Sequence, residues 1–91
     1  MHAVIVKVSI NDNDPGLEYL QKEIVPRVKQ APGLVAGYWV RLEGGDEGNS
    51  VVVFESEEQA RAVAERIRGD IDSNPGVTLK DLSVGEVVAN A

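Results

Sequence analysis

From Ala3 to Ile10 the chain is almost unbroken in Ala, Val and Ile, with Lys7 and Ser9 as its polar interruptions. Such a run predicts a strand buried on both faces, and alternation places Val4, Val6, Val8 and Ile10 on one side and Ala3, Ile5, Lys7 and Ser9 on the other. The period then lengthens. Asn11-Asp12-Asn13-Asp14 offers capping side chains and Pro15 a tolerated first helical position, after which Leu17, Leu20, Ile24 and Val28 recur at helical spacing. Pro26 within that stripe predicts a kink or an early end, because it removes an intrahelical bond and crowds the preceding turn. Pro32-Gly33 closes the segment, and Leu34 to Leu42 reads as a second strand. The polar, glycine-rich stretch from Gly44 to Asn49 predicts a hairpin connection, followed by a third strand from Ser50 to Glu55. Ser56-Glu57-Glu58-Gln59 has the spacing of a capping box, opening a helix with Ala60, Val63, Ala64 and Ile67 on one face and Gly69 as its stop. Asp70 to Gly76 then reads as a loop with a Pro-Gly turn, and Val77 to Val88 as a last strand interrupted near Gly85.

The order is βαββαβ, and right-handed crossovers place both helices on one face of a four-stranded antiparallel sheet. This is a ferredoxin-like α+β arrangement, expected as a single domain over residues 1–91, since no linker or low-complexity tract divides the chain. On strand two Ala36, Tyr38, Val40 and Leu42 form the more apolar set and are expected to meet the helices, leaving Val35, Gly37, Trp39 and Arg41 opposite. The uncovered face then carries Ile5, Val35 and Trp39 beside Lys7, Ser9 and Arg41, too apolar for water and too polar for an ordinary core. A second copy packed sheet to sheet resolves both, so the expectation is a symmetric homodimer around a mixed pocket; pairing with the partner's last strand is one way to cover edge strand two. A bulge at Gly37 would exchange Tyr38 and Trp39.

Composition narrows the chemistry. A 91-residue chain without Cys has no disulfide, thiolate metal site or Cys nucleophile, and one His leaves no multi-His cluster. A core this small gains from oligomerisation. A net charge of −6 with no basic run argues against nucleic acid and anionic membranes. The apolar start lacks a basic n-region and meets Lys7 early, and no apolar stretch approaches membrane-spanning length, so a cytoplasmic setting is expected. No flavin or metal motif is present, and no cofactor is expected. Asn11 to Asp14 is not a calcium loop, because Pro15 is misplaced and the central Gly is missing. Gly44 to Asn49 is acidic and leads into a strand, unlike a phosphate cradle. Arg61, Arg66 and Arg68 with Glu57, Glu58 and Glu65 form a mixed solvated helix face.

Two segments carry a family resemblance: Pro32-Gly33-Leu34-Val35-Ala36-Gly37-Tyr38-Trp39-Val40-Arg41, with its Pro-Gly start and aromatic-to-Arg finish, and Val53-Phe54-Glu55-Ser56-Glu57-Glu58-Gln59-Ala60 at the strand-to-helix junction. In these the chain resembles the dimeric α+β barrel superfamily, and within it the antibiotic-biosynthesis-monooxygenase-like proteins. Proteins of that group include cofactor-free monooxygenases acting on polycyclic aromatics, haem-degrading enzymes and members without assigned activity, and the resemblance implies a dimeric α+β barrel with a pocket for a small flat hydrophobic compound. The second helix of those enzymes often carries a His, which Ala60 to Arg66 lacks, so it implies no haem-ligating His here.

The candidate substrate-binding residues are Trp39, Arg41, Lys7, Ser9 and Tyr38. Trp39 either stacks on a flat ligand, anchors a dimer interface or fills the core. Arg41 either meets an anionic or carbonyl group, is a solvated charge or pairs with Glu55. Lys7, if buried, has its pKa depressed toward use as a base, or else it snorkels to the barrel mouth with Ser9 nearby. Tyr38 offers a hydroxyl or packs in the core, and His2 lies at a fraying terminus. No residue is assigned a catalytic role. Two functions remain open: a monooxygenase-like protein binding a small flat hydrophobic compound, which would supply its own electrons to oxygen, and a non-catalytic ligand-binding or dimerisation module.

Overall fold

Alternation along the first strand sets the frame of the molecule. The computed structural model describes every residue except Asp12 and Pro75, and of Asn13 and Asp14 the backbone alone. The expected caps at Asp12, Asn13 and Asp14 and the turn at Pro75 therefore lie outside what is described. Strand β1 (His2–Ile10) leads into a continuous helical run made of α1 (Asn13–Tyr19), a π-helical turn (Leu20–Ile24) and α2 (Val25–Lys29). There follow β2 (Leu34–Arg41), β3 (Glu47–Phe54), α3 (Glu57–Asp72) and β4 (Val77–Glu86). The four strands form one antiparallel sheet in the order β2-β3-β1-β4, with the helical run and α3 on one face. This is the expected ferredoxin-like α+β fold. Among the described residues no helix is long and apolar enough to cross a membrane.

The core forms where β1 and β3 meet the helices. Val4, Val52 and Phe54 are fully buried, and Ala60, Val63, Ala64 and Ile67 of α3 close over them with Ile24 and Val28. The Ser56 side chain accepts a bond from the Gln59 N–H and the Gln59 side chain accepts one from the Ser56 N–H, so α3 begins with the expected capping box. Gly33 has φ 79°, a left-handed conformation that favours glycine, and any Cβ there would collide with the Gln59 side chain. The Pro-Gly turn is thus seated directly on the start of α3.

The structure departs from the sequence reading at several points. Pro26 neither ends nor breaks the helix: the chain widens ahead of it, so that the Val25 N–H reaches the Leu20 carbonyl, five residues back. The wider turn makes room for a ring that would otherwise press on the carbonyl four residues earlier. Strand β3 starts at Glu47 because Glu47, Gly48 and Asn49 are paired with β1, and Gly48 and Asn49 also with β2. Helix α3 runs through Gly69 to Asp72, where the Ser73 hydroxyl donates to the Gly69 carbonyl. In β4 the irregularity falls at Lys80, which the pairing with β1 skips, and not at Gly85.

Candidate functional site

The placement of the aromatic pair turns on one residue near the start of β2. Leu34 lies opposite Phe54 and Ala36 opposite Val53, so Val35 is an extra residue in the ladder, a β-bulge. Beyond it Gly37, Trp39 and Arg41 lie opposite Val52, Ser50 and Gly48, all on the helix side, while Tyr38 lies opposite exposed Val51. The expected faces of β2 are therefore exchanged. Trp39 packs on the core under the helices, and Tyr38, expected to meet the helices, is 69% exposed on the uncovered face. The bulge sits two residues before Gly37, where the sequence reading had allowed for one.

Between sheet and helices lies a cavity of about 270 Å³. Val6, Val8, Ile10, Trp39, Gly48 and Ser50 form its floor; Leu17, Leu20 and Ile24 wall it on one side and Ile67 and Ile71 on the other. Leu17 and Arg41 are both exposed and mark its open side. The walls are largely aliphatic, so the cavity favours an apolar occupant, with polar side chains in its lining at Arg41, Ser50, Asp70 and Asn74. The indole of Trp39 reaches over Gly37: a Cβ on that glycine would be 3.2 Å from both Cη2 and Cζ3 of the ring.

The polar groups are held by their neighbours. The Arg27 guanidinium donates to Asp70 Oδ1 at 2.9 Å and to Glu23 Oε2 at 3.2 Å, linking the helical run to α3 above the cavity. A hydrogen bond with the Tyr19 side chain, then the charges of Asp70 and Glu23, raise the Arg27 pKa above its ordinary value. Asn74 Oδ1 accepts the Gly76 N–H at 2.9 Å, the Gly76 carbonyl accepts the Asn11 N–H at 2.7 Å, and Asn11 Nδ2 donates to Thr78 Oγ1 at 2.8 Å. These bonds tie the end of β1 to the start of β4 beside the cavity.

The five residues singled out in the sequence do not surround one pocket. Trp39 and Arg41 line the cavity; Lys7, Ser9 and Tyr38 lie on the opposite face of the sheet. That face also exposes Ile5, Val40 and Val51, and Lys7 lies opposite Asp81 across the β1–β4 pair. Near its edge Glu47 and Lys80 form an ion pair, whose hydrogen bond lowers the Glu47 pKa and raises that of Lys80. His2 is outside the cavity lining, 4.0 Å from Glu57 through Nε2 and Oε2. Sequence reasoning missed Asp70 and Asn74. Both fall in the stretch after Gly69 that has the composition of a loop, and the signal for the helix is the Ile67 and Ile71 pair, whose four-residue spacing carries it past that glycine.

Fold and cavity together define a ferredoxin-like α+β protein with an apolar chamber under its helices. No protein-family model matches the chain, and no curated protein sequence matches it. Solved structures do. SnoaB from Streptomyces nogalater, a cofactor-independent oxygenase, is similar with a TM-score of 0.74 at 10% identity, over 98% of this chain and 94% of its own. A variant of MhuD with two manganese protoporphyrin IX molecules bound per active site is similar with a TM-score of 0.72 at 24% identity, over 100% and 98%. A dimeric ferredoxin-like protein from an uncultured marine organism has a TM-score of 0.63 at 12% identity, over 100% and 98%. At these identities the likeness is one of fold, and it bears out the ferredoxin-like α+β fold.

Proposed function

We propose that this chain is a homodimeric, monooxygenase-like protein that takes a small flat hydrophobic compound into the chamber between sheet and helices. The observation that carries the reading is the indole of Trp39 laid along an aliphatic cavity of about 270 Å³ whose open side is marked by Arg41. A flat ring stacked there gains both burial and aromatic contact. The similarity in fold to a cofactor-independent oxygenase and to a porphyrin-binding protein supports a planar ligand.

The residues present suit chemistry in which the substrate supplies the electrons. Aliphatic walls strip water from an electron-rich ring system, and Arg41 at the rim favours its ionised form. Oxidation of an activated methylene then balances as CH₂ + O₂ → C=O + H₂O, with one oxygen atom kept in the product and the other leaving in water. Lys7, Ser9 and Tyr38 belong in this reading to the face that meets the second copy, with Ile5, Val40 and Val51 as its apolar centre. The test is a titration with menadione followed by Trp39 fluorescence, then dioxygen uptake with an anthrone. Saturable quenching and uptake with equimolar ketone formation are expected; absence of quenching overturns the reading.

Binding without turnover is the second reading, and one observation favours it. Among the described residues the one carboxylate lining the cavity is Asp70, and it is engaged by Arg27. Saturable quenching without oxygen uptake identifies this case.

A further inference from the structure

Two glycines on the helix side of the sheet flank Trp39: Gly37 two residues before it on the same strand, opposite Val52, and Gly48 diagonally across on β3, opposite Arg41. Neither has a positive φ; the glycines that do are Gly33, Gly44 and Gly45. Backbone conformation therefore does not call for glycine at either position, and what matters is the side chain that is missing. At Gly37 a Cβ would press on the indole at 3.2 Å, with Val52 Cγ1 at 3.7 Å. At Gly48 it would stand 3.3 Å from Val8 Cγ2 and 3.5 Å from Ile10 Cδ1, so that either the methyl or the displaced Val8 and Ile10 would fill the cavity floor.

We infer that Gly37 and Gly48 are specificity-determining residues of the chamber, Gly37 by setting the tilt of Trp39 and Gly48 by setting the depth of the floor. The inference rests on the ligand reading above and adds its size class. The volume of about 270 Å³ lies at the lower edge of ligand pockets. It suits a planar molecule of roughly two to three fused rings better than a porphyrin.

The experiment measures affinities of the full chain for menadione, anthraquinone sulfonate and manganese protoporphyrin IX through Trp39 quenching, in the wild type, Gly37→Ala and Gly48→Ala. Thermal melts and light scattering confirm folding. The wild type is expected to bind both quinones and to bind the porphyrin at least about tenfold more weakly. Gly48→Ala loses about tenfold more affinity for the three-ring than for the two-ring probe, and Gly37→Ala shifts the Trp39 emission maximum and weakens both. Should Gly48→Ala fail to fold, Val8→Ala in the same chain removes the atom the new methyl meets and restores folding with the wild-type preference. Porphyrin binding as tight as quinone binding, or alanine variants that keep the wild-type affinities, overturns the inference while leaving the ligand reading intact. No binding of any probe by the wild type contradicts the ligand reading itself.

Discussion

One face of the sheet holds Val4, Val6, Val52 and Phe54 at 0%, 3%, 0% and 0% exposure; the other holds Ile5, Val51, Val40 and Tyr38 at 38%, 40%, 53% and 69%. Both faces are built from the same alternating strands, so the difference comes from what covers them. The helices bury the first and leave a chamber inside the molecule, whereas the second mixes half-exposed apolar side chains with Lys7, Ser9 and Asp81. The contrast also separates two roles that the sequence had placed in one pocket. In the proposed reading, ligand contact belongs to Trp39 on the helix side and association to the open side.

The largest expected effect breaks the covered face. Phe54→Ala removes a fully buried ring and is expected to cost about 3–5 kcal/mol in urea denaturation. Val51→Lys attacks the open face instead. It is expected to halve the mass in sedimentation, weakening association by about 2 kcal/mol or more, while Trp39 emission stays unchanged. Ser56→Ala removes half of the capping box that starts the covering helix and is expected to cost about 1 kcal/mol in the same denaturation, with no change in mass.

The smallest effect is a pH dependence at the edge of the open face. The Glu47 pKa is lowered by its hydrogen bond with Lys80, so its contribution to stability is present above the ordinary glutamate range and is lost as pH falls through the folded-state value. Both side chains are substantially exposed, which keeps the contribution small. Lys80→Met is expected to flatten slightly the acid limb of a melting-temperature profile below about pH 4 and to leave neutral stability almost unchanged.

The covered face was legible in the sequence where alternation ran unbroken. Val4, Val6, Val8 and Ile10 are where the pattern puts them, because β1 is central and its apolar residues leave one choice of face. Strand β2 was not legible, since the bulge at Val35 uses no positive φ and so leaves no Gly or Pro as a mark. Gly37 drew attention as a bulge site, but its smallness serves the indole above it. Glu47-Gly48-Asn49 has the composition of a loop, and pairing on β1 and β2 overrides that preference. Gly69 read as a stop, yet the helix continues there because Ile71 still packs against the core, and that continuation places Asp70 over the cavity.

The single Trp makes the two faces separable in one measurement, iodide quenching of Trp39 in the wild type and in Val51→Lys. With Trp39 under the helices, quenching is expected to be weak and equal in the two proteins, whether associated or dissociated. Quenching that is weak in the wild type and rises strongly when Val51→Lys dissociates would put the indole on the open face and contradict this account.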